Sequence, residues 1–218
     1  MVVVVTAYVV RLWIPDRPGA LGQVASRIGA VRGDVIGIEI LERGAGRAVD
    51  ELFVTLPDPS LVDLLIAEIN QVDGVDVEDV RELNDPERDP GLDALEAAAR
   101  VAEADSAQSV LSTLCMEAQR AFDAEWVAVA NEHYVSCEVG HAPSGAWMSA
   151  FVIGISHCAQ LNAPGGPDDV AWAPLGRSGL DVLLGRHGRP LRTKERRQLM
   201  ALARIAAVRV SELQRPGT

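Results

Sequence analysis

The amino-acid sequence predicts an α+β protein with two domains, and three observations support this fold class. Runs of β-branched and apolar residues, which favour strands, alternate with segments whose apolar residues recur at helical spacing. A cluster of charges and helix breakers at residues 84–91 separates the two halves of the chain. With 218 residues, 48% of them hydrophobic, the chain can form a core in each half.

The first domain begins with a predicted strand that leads directly into a predicted helix. The strand covers Val2 to Ile14 and ends at Pro15. Asp16 is expected to cap the helix, Pro18 to fit its first turn, and Gly19 to let another molecule approach the backbone. A helix N-terminus has unpaired N–H groups and a partial positive charge, so a small carboxylate could bind there. A plain strand-to-helix turn is the alternative.

The remaining elements of the first domain follow from apolar spacing and turn residues. Apolar residues recur at helical spacing from Leu21 onwards, which predicts the first helix. The later elements are a strand at Val35 to Leu41, a turn at 43–47, a strand at Val49 to Leu56, a helix starting near Pro59 and a strand at Val75 to Leu83. This βαββαβ order is ferredoxin-like, and it assigns the first domain to residues 1–83.

The sequence Asp-Arg-Pro-Gly-Ala-Leu at residues 16–21, between the first strand and the first helix, resembles an ACT domain. ACT domains are regulatory modules that bind amino acids, typically where two copies meet. The resemblance implies a binding loop and a second-strand edge that closes the site. The loop comprises Pro15, Asp16, Arg17, Pro18, Gly19, Ala20 and Leu21, and the edge comprises Asp34, Val35 and Ile36.

Position 34 departs from the pattern of many ACT domains, which have Asn there. An ionised Asp34 only accepts hydrogen bonds, so it could hold an ammonium group but would repel a carboxylate. An ACT domain retained only for dimerisation is therefore the alternative to a ligand-binding one. The apolar strands at Val2 to Ile14 and Val35 to Leu41 predict a homodimer, because exposed edges of such strands pair readily.

The second half of the chain is predicted to contain a linker and connector helix at residues 84–105, followed by a domain at residues 106–218. The predicted elements are a helix at Ser106 to Phe122, strands at Glu125 to Asn131, His133 to Val139, Val170 to Leu175 and Leu180 to Gly185, and a helix from Thr193 to about Leu213. Trp147 to His157 could be a strand or a buried helix. With the segment Gly-Arg-Pro-Leu-Arg-Thr-Lys-Glu before the last helix, this order resembles a GAF-like α+β domain with a central antiparallel sheet. GAF domains are small-molecule sensing or dimerisation modules.

Charge and cysteine content limit the partners that the sequence predicts. Residues 1–83 contain 7 Arg against 14 Asp and Glu, and the whole chain has a net charge of −11, so nucleic acid is an unfavourable partner. Three irregularly spaced cysteines are typical of reduced thiols rather than of a disulfide framework. Residues 1–10 have neither an export pattern nor the length of a membrane span, so a cytoplasmic protein without membrane contact is predicted.

The function predicted from the sequence is that of an amino-acid-binding regulatory or sensor protein that acts through ACT dimerisation. A small-molecule effector, an amino acid by the resemblance, is the expected partner, and no cofactor, metal or enzymatic activity is predicted. The first alternative is an enzyme with its active site in the second half, at His157 or Cys158. The second alternative is a transcription-linked regulator that uses the basic C-terminal helix.

Overall fold

The computed structural model describes residues 5–83, 85, 89–160 and 167–214. The chain divides into two compact units, Met1–Arg88 and Asp89–Thr218. Each unit contains helices and one four-stranded antiparallel sheet, so the predicted α+β class is confirmed. No helix in the described part of the chain is both long enough and apolar enough to cross a membrane.

The first unit has the βαββαβ order that the sequence predicts. Its elements are β1 (Thr6–Pro15), α1 (Ala20–Ala30), β2 (Asp34–Gly44), β3 (Arg47–Leu56), a short 3-10 helix (Pro59–Leu61), α2 (Val62–Ile69) and β4 (Asp76–Leu83). The strands lie in the order β2-β3-β1-β4. Because β1 pairs with both β3 and β4, it has no free edge, and the expectation that the first strand offers an edge for dimerisation is wrong. Among the described strands, β2 pairs only with β3 and is therefore an edge of the sheet.

The main core of the first unit lies between the sheet and its two helices. It combines alternate residues of β1 and β3 with the buried faces of α1 and α2, including Leu12, Leu52, Val24 and Leu65. On strands, alternate side chains face the same side, so this core defines a helix-facing side of the sheet. The opposite side carries the smaller cluster of Ala7, Val9, Phe53 and Leu83.

The second unit consists of a central sheet with helices on both faces. Its elements are α3 (Pro90–Glu103), α4 (Ala107–Phe122), β5 (Trp126–Ala130), β6 (Val135–Gly140), α5 (Gly145–Gln160), β7 (Val170–Pro174), β8 (Asp181–Gly185) and α6 (Thr193–Leu213). The strand order is β6-β5-β8-β7, and every neighbouring pair is antiparallel. Residues of α3, α4 and α6 share a core with one face of this sheet.

The segment that the sequence left open as strand or helix is helical and forms part of α5. Met148 and Val152, one helical turn apart, pack with Trp126 and Leu183 on the face of the sheet opposite to α4. Trp147 stacks on Phe151 with ring centroids 5.0 Å apart. A sheet that is apolar on both faces needs cover on both, which explains why this apolar segment becomes a helix.

A buried ion pair fixes the start of the last helix. The Arg186 guanidinium donates to the Glu195 carboxylate at 2.6 Å, and the Glu195 carboxylate also accepts from the backbone N–H of Arg192 at 2.8 Å. Arg186 donates as well to the carbonyl oxygen of Phe122, at the end of α4. Arg192 occupies the capping position, and Thr193 is the first residue of the helix. The pair therefore joins α4, β8 and α6 in one hydrogen-bonded network.

Candidate ligand site at the first helix

The loop that the sequence singles out has a different local structure from the one predicted. Strand β1 extends through Pro15, and the Asp16 N–H donates to the Gly46 carbonyl oxygen at 2.9 Å. Helix α1 begins at Ala20, and Gly19 occupies the capping position with φ 85° and ψ −12°. The expectation that Asp16 caps the helix is therefore wrong, because three residues and a left-handed turn separate it from the first helical residue.

Two backbone N–H groups at the start of α1 have no hydrogen-bond partner among the residues that the structure describes. The Ala20 N–H donates to the Arg17 carbonyl at 3.3 Å, and the Gln23 N–H donates to the Gly19 carbonyl at 3.1 Å. Between these two, the N–H groups of Leu21 and Gly22 form no hydrogen bond with any residue that the structure describes, and no side chain caps the helix. Loop residues 16–19 are exposed, so these two donors adjoin solvent-accessible surface. Such donors, together with the helix dipole, favour an anion.

The two parts of the predicted site lie at opposite ends of the sheet. Pro15 pairs with Arg47 on β3, whereas Asp34 pairs with Thr55 at the other end of that strand. At roughly 3.3 Å per residue along β3, the loop and the Asp34 end are about 26 Å apart. Asp34 and Ile36 are exposed, and Val35 is partly buried. Within one protomer the structure therefore gathers the loop residues but does not bring the 34–36 edge to them.

A residue that the sequence interpretation did not select, Asp50, lies on the helix-facing side of β3. It pairs with Leu12 on β1 and with Ile40 on β2, and it is only 5% exposed. Its Oδ1 atom is buried and has no hydrogen-bond partner among the residues that the structure describes. The alternation of side chains along a strand could have indicated that Asp50 faces the core. Asp50 shares one face of β3 with Leu52 and Val54, which belong to the core.

The charges around Asp50 connect it electrostatically to the binding loop. Burial raises the pKa of the Asp50 carboxyl, the positive charge of Arg43 lowers it, and the negative charge of Asp16 raises it. Asp16 belongs to the loop before α1, and Arg43 lies near the end of β2. Asp50 thus interacts electrostatically with one further carboxylate and one guanidinium, while its buried Oδ1 atom receives no hydrogen bond from the described residues.

Arg11 and Glu51, which are also buried in the first unit, form a network of ion pairs with Arg81. Arg11 Nη2 lies 2.8 Å from Glu51 Oε1, and Arg81 Nη2 lies 2.9 Å from the same oxygen. Burial raises the pKa of Glu51, but the guanidinium groups of Arg81 and Arg11 outweigh burial and hold it below its ordinary value. Because Arg11 and Glu51 face the side of the sheet opposite to Asp50, this network does not reach Asp50.

In the second unit the structure brings together two cysteines that are distant in sequence. The Sγ atoms of Cys115 on α4 and Cys137 on β6 are 3.2 Å apart. Their mutual hydrogen bond, reinforced by burial, raises the pKa of Cys115, and the same hydrogen bond lowers the pKa of Cys137. The side chain of Cys158 lies outside the described residues, and His157 Nδ1 is 2.8 Å from the Ile153 carbonyl oxygen of its own helix. Among the described residues, no group of three or more His, Cys, Asp or Glu side chains could hold a metal ion.

Neither a family model nor a curated protein matches the sequence. Among solved structures, the ACT domain of GTP pyrophosphokinase from Chlorobium tepidum is 18% identical, with 39% of this chain and 93% of that chain covered and a TM-score of 0.30. The C-terminal domain of the MgtC protein from Mycobacterium tuberculosis is 16% identical over 39% of this chain and 93% of that chain, with a TM-score of 0.30. An unknown protein from Galdieria sulphuraria is 12% identical, with 96% and 92% covered and a TM-score of 0.35.

Proposed function

We propose that this protein is a regulatory protein that binds an amino-acid effector at the start of α1 and acts as a homodimer of its first units. The observation that carries the proposal is the pair of unused N–H groups at Leu21 and Gly22, beside the exposed loop of residues 16–19. These groups suit the carboxylate of a small molecule. The proposal also rests on the resemblance of the Asp-Arg-Pro-Gly-Ala-Leu segment to ACT domains.

The exposed edge strand supports the dimeric part of the proposal. Ile36, Ile38 and Ile40 of β2 are all large apolar residues with exposed side chains. Ile38 and Ile40 pair with Leu52 and Asp50 of β3, so their side chains lie on the helix-facing side of the sheet. Antiparallel pairing of two β2 strands about a two-fold axis would extend the sheet and cover these isoleucines.

This arrangement would also unite the two separated parts of the predicted site. In an antiparallel pair of β2 strands, the end of one strand lies beside the start of the other. The loop at residues 15–21 lies at the Gly44 end of β2, while Asp34 starts the same strand. The loop of one copy would therefore adjoin the 34–36 edge of the second copy. We propose that the complete effector site forms only in the dimer.

One experiment tests the dimer, and it has a matched control within the chain. Ile38 and Leu64 are equally exposed, at 48% and 47%, but Leu64 lies on α2 and not on the edge strand. Sedimentation of the full chain should show a dimer for the wild type and for Leu64→Lys, and a monomer for Ile38→Lys, because a lysine on an edge strand opposes pairing. A monomeric wild type at micromolar concentration, or a dimeric Ile38→Lys, contradicts the proposed interface.

A second experiment tests effector binding. The twenty L-amino acids are added singly to the full chain, and the melting temperature is recorded. An amino acid at a hundred times its Kd should stabilise the folded protein by about 2.7 kcal/mol. A screen without any shift at millimolar concentrations contradicts the proposed binding.

A further inference from the structure

We infer that Asp50 is the ammonium-binding residue of the effector site, and that the effector is therefore a primary amine as well as a carboxylate. This inference rests on the proposed function, since it specifies which chemical group the site recognises. Nothing in the sequence motif points to Asp50, which lies on β3, outside the loop and outside the 34–36 edge.

The position of Asp50 within the fold is one that a hydrophobic residue normally occupies. On β3 the helix-facing side chains are Ala48, Asp50, Leu52, Val54 and Leu56, and all except Asp50 belong to the main core. Burying an ionised carboxylate without a partner is strongly unfavourable, so such groups are normally paired or hydrogen-bonded. The fold alone gives no reason for a carboxylate at this position.

A second buried carboxylate of the same sheet, Glu51, has a structural role and serves as a comparison for Asp50. Glu51, the next residue along β3, is as buried as Asp50, at 5% exposed. Its carboxylate receives hydrogen bonds from two arginines, Arg11 and Arg81, each at 2.9 Å. Asp50 Oδ1 receives none from the described residues. Two adjacent carboxylates of equal burial thus differ in their partners, and the unpartnered one is on the side of α1.

The surroundings of Asp50 favour a cation over an anion. Asp16 adds a second negative charge from the loop, and Arg43 supplies one positive charge from β2. Within the described residues, Arg43 forms no hydrogen bond to the buried Oδ1 atom of Asp50. An ammonium group has three donors, so it could satisfy the buried oxygen directly where Arg43 acts only through its charge.

The edge strand beside Asp50 carries an exposed side chain. Ile40, which pairs with Asp50 across the β2–β3 ladder, is 39% exposed, so the sheet edge beside the buried Asp50 is partly uncovered in the single chain. In the proposed dimer this uncovered side faces the second copy. A small molecule held there would lie between the unused N–H groups at the start of α1 and the carboxylate of Asp50. This pairing of an anion-binding with a cation-binding group selects amino acids and rejects simple carboxylic acids.

The test compares three variants of the full chain by calorimetry with each of the twenty L-amino acids and with their N-acetyl derivatives. Asp50→Asn keeps the shape of the side chain but removes its charge. Asp50→Glu keeps the charge and displaces it by one methylene. Asp73→Asn, at an exposed turn, is the matched control for the loss of one carboxylate. Melting curves without additive confirm that each variant is folded.

The expected result is that one amino acid binds the wild type and Asp73→Asn equally, binds Asp50→Asn at least tenfold more weakly, and binds Asp50→Glu with intermediate affinity. Its N-acetyl derivative should not bind the wild type. If Asp50→Asn binds within twofold of the wild type, or if the N-acetyl derivative binds as well as its parent, the role of Asp50 is overturned while amino-acid binding stands. If no amino acid binds the wild type, both the inference and the proposed function are overturned.

Discussion

A carboxylate that is buried for binding rather than for stability should weaken the fold that contains it. Without an effector, we expect Asp50→Asn to be more stable than the wild type at neutral pH. A buried polar group without a hydrogen bond costs about 1–3 kcal/mol, and an ionised one costs more. The attraction of Arg43 offsets part of this cost for Asp50. The buried amide of Asn in the variant still has a desolvation cost, but a smaller one. We therefore expect a gain of about 1 kcal/mol, equivalent to roughly 4–8 °C for a domain of this size.

The pH dependence of this gain identifies its cause. Burial raises the pKa of Asp50 in the folded state above its value of about 4 in the unfolded chain. The folded state then binds the proton more tightly than the unfolded state, so the contribution of Asp50 to stability is favourable at low pH and is lost as pH rises through the raised pKa. Asp50→Asn should therefore match the wild type below about pH 4 and exceed it above the raised pKa. The lowered pKa of Glu51 has the opposite effect on the pH dependence of stability. Glu51 is present in both proteins, so its contribution cancels in the difference between them.

The assay is denaturant unfolding of the full chain from pH 4 to pH 8, followed through the transition of the first unit. Asp73→Asn, at an exposed turn, serves as the control for the loss of one carboxylate. A free energy of unfolding for Asp50→Asn that is lower than that of the wild type by 1 kcal/mol or more at neutral pH would refute the reasoning. That result would mean that Asp50 is a satisfied structural group.

Three further predictions concern other parts of the chain. Gly19→Ala should lower the free energy of unfolding by about 1 kcal/mol, because the φ of 85° at this position disfavours a side chain. Gly22→Ala, in an exposed part of helix α1, should leave the free energy of unfolding unchanged or raise it. Thermal melting of the two variants checks both expectations. Arg186→Ala should destabilise the second unit by about 3–5 kcal/mol in urea unfolding, because it leaves a buried carboxylate unpaired. In the native protein a thiol reagent should label the partly exposed Cys137 before the buried Cys115, as peptide mass mapping would show.

Sequence patterns predicted the elements of the first unit well but not the start of its first helix. Strands and helices follow from apolar periodicity, which is a local property, and the βαββαβ order followed from them. The helix start depends on a long-range contact. The Asp16 N–H bonds to the carbonyl oxygen of Gly46 in the distant β2–β3 turn, so the chain continues away from β1 before Gly19 reverses it into α1. Residue preferences for capping cannot anticipate a bond thirty residues away.

The candidate site was only partly accessible to sequence reasoning. The loop at residues 15–21 was found because its turn residues are local signals. The 34–36 edge came from family resemblance, and the strand register shows that it lies at the far end of the sheet within one protomer. Asp50 was missed because a carboxylate beside Glu51 suggests a solvated strand face. The paired strands show that Asp50 faces the core and that Glu51 faces the opposite side. The contact between Cys115 and Cys137 could likewise not be predicted from the sequence, because it joins a helix to an edge strand.

The geometry of the first unit makes effector binding and dimerisation two aspects of one equilibrium. If the loop at residues 15–21 belongs to one copy and the 34–36 edge to the other, an effector that contacts both binds the dimer more tightly than the monomer. By linkage, the same effector must then strengthen the dimer by the same factor. The unpartnered carboxylate of Asp50 lies beside the edge strand that would form the dimer. An ammonium group that reaches it would therefore relieve the unfavourable burial of Asp50 at the place where the two copies meet. Burying the Asp50 carboxylate without a partner is unfavourable in the effector-free chain. Relief of this unfavourable free energy is thus part of the free energy by which the effector favours the dimer.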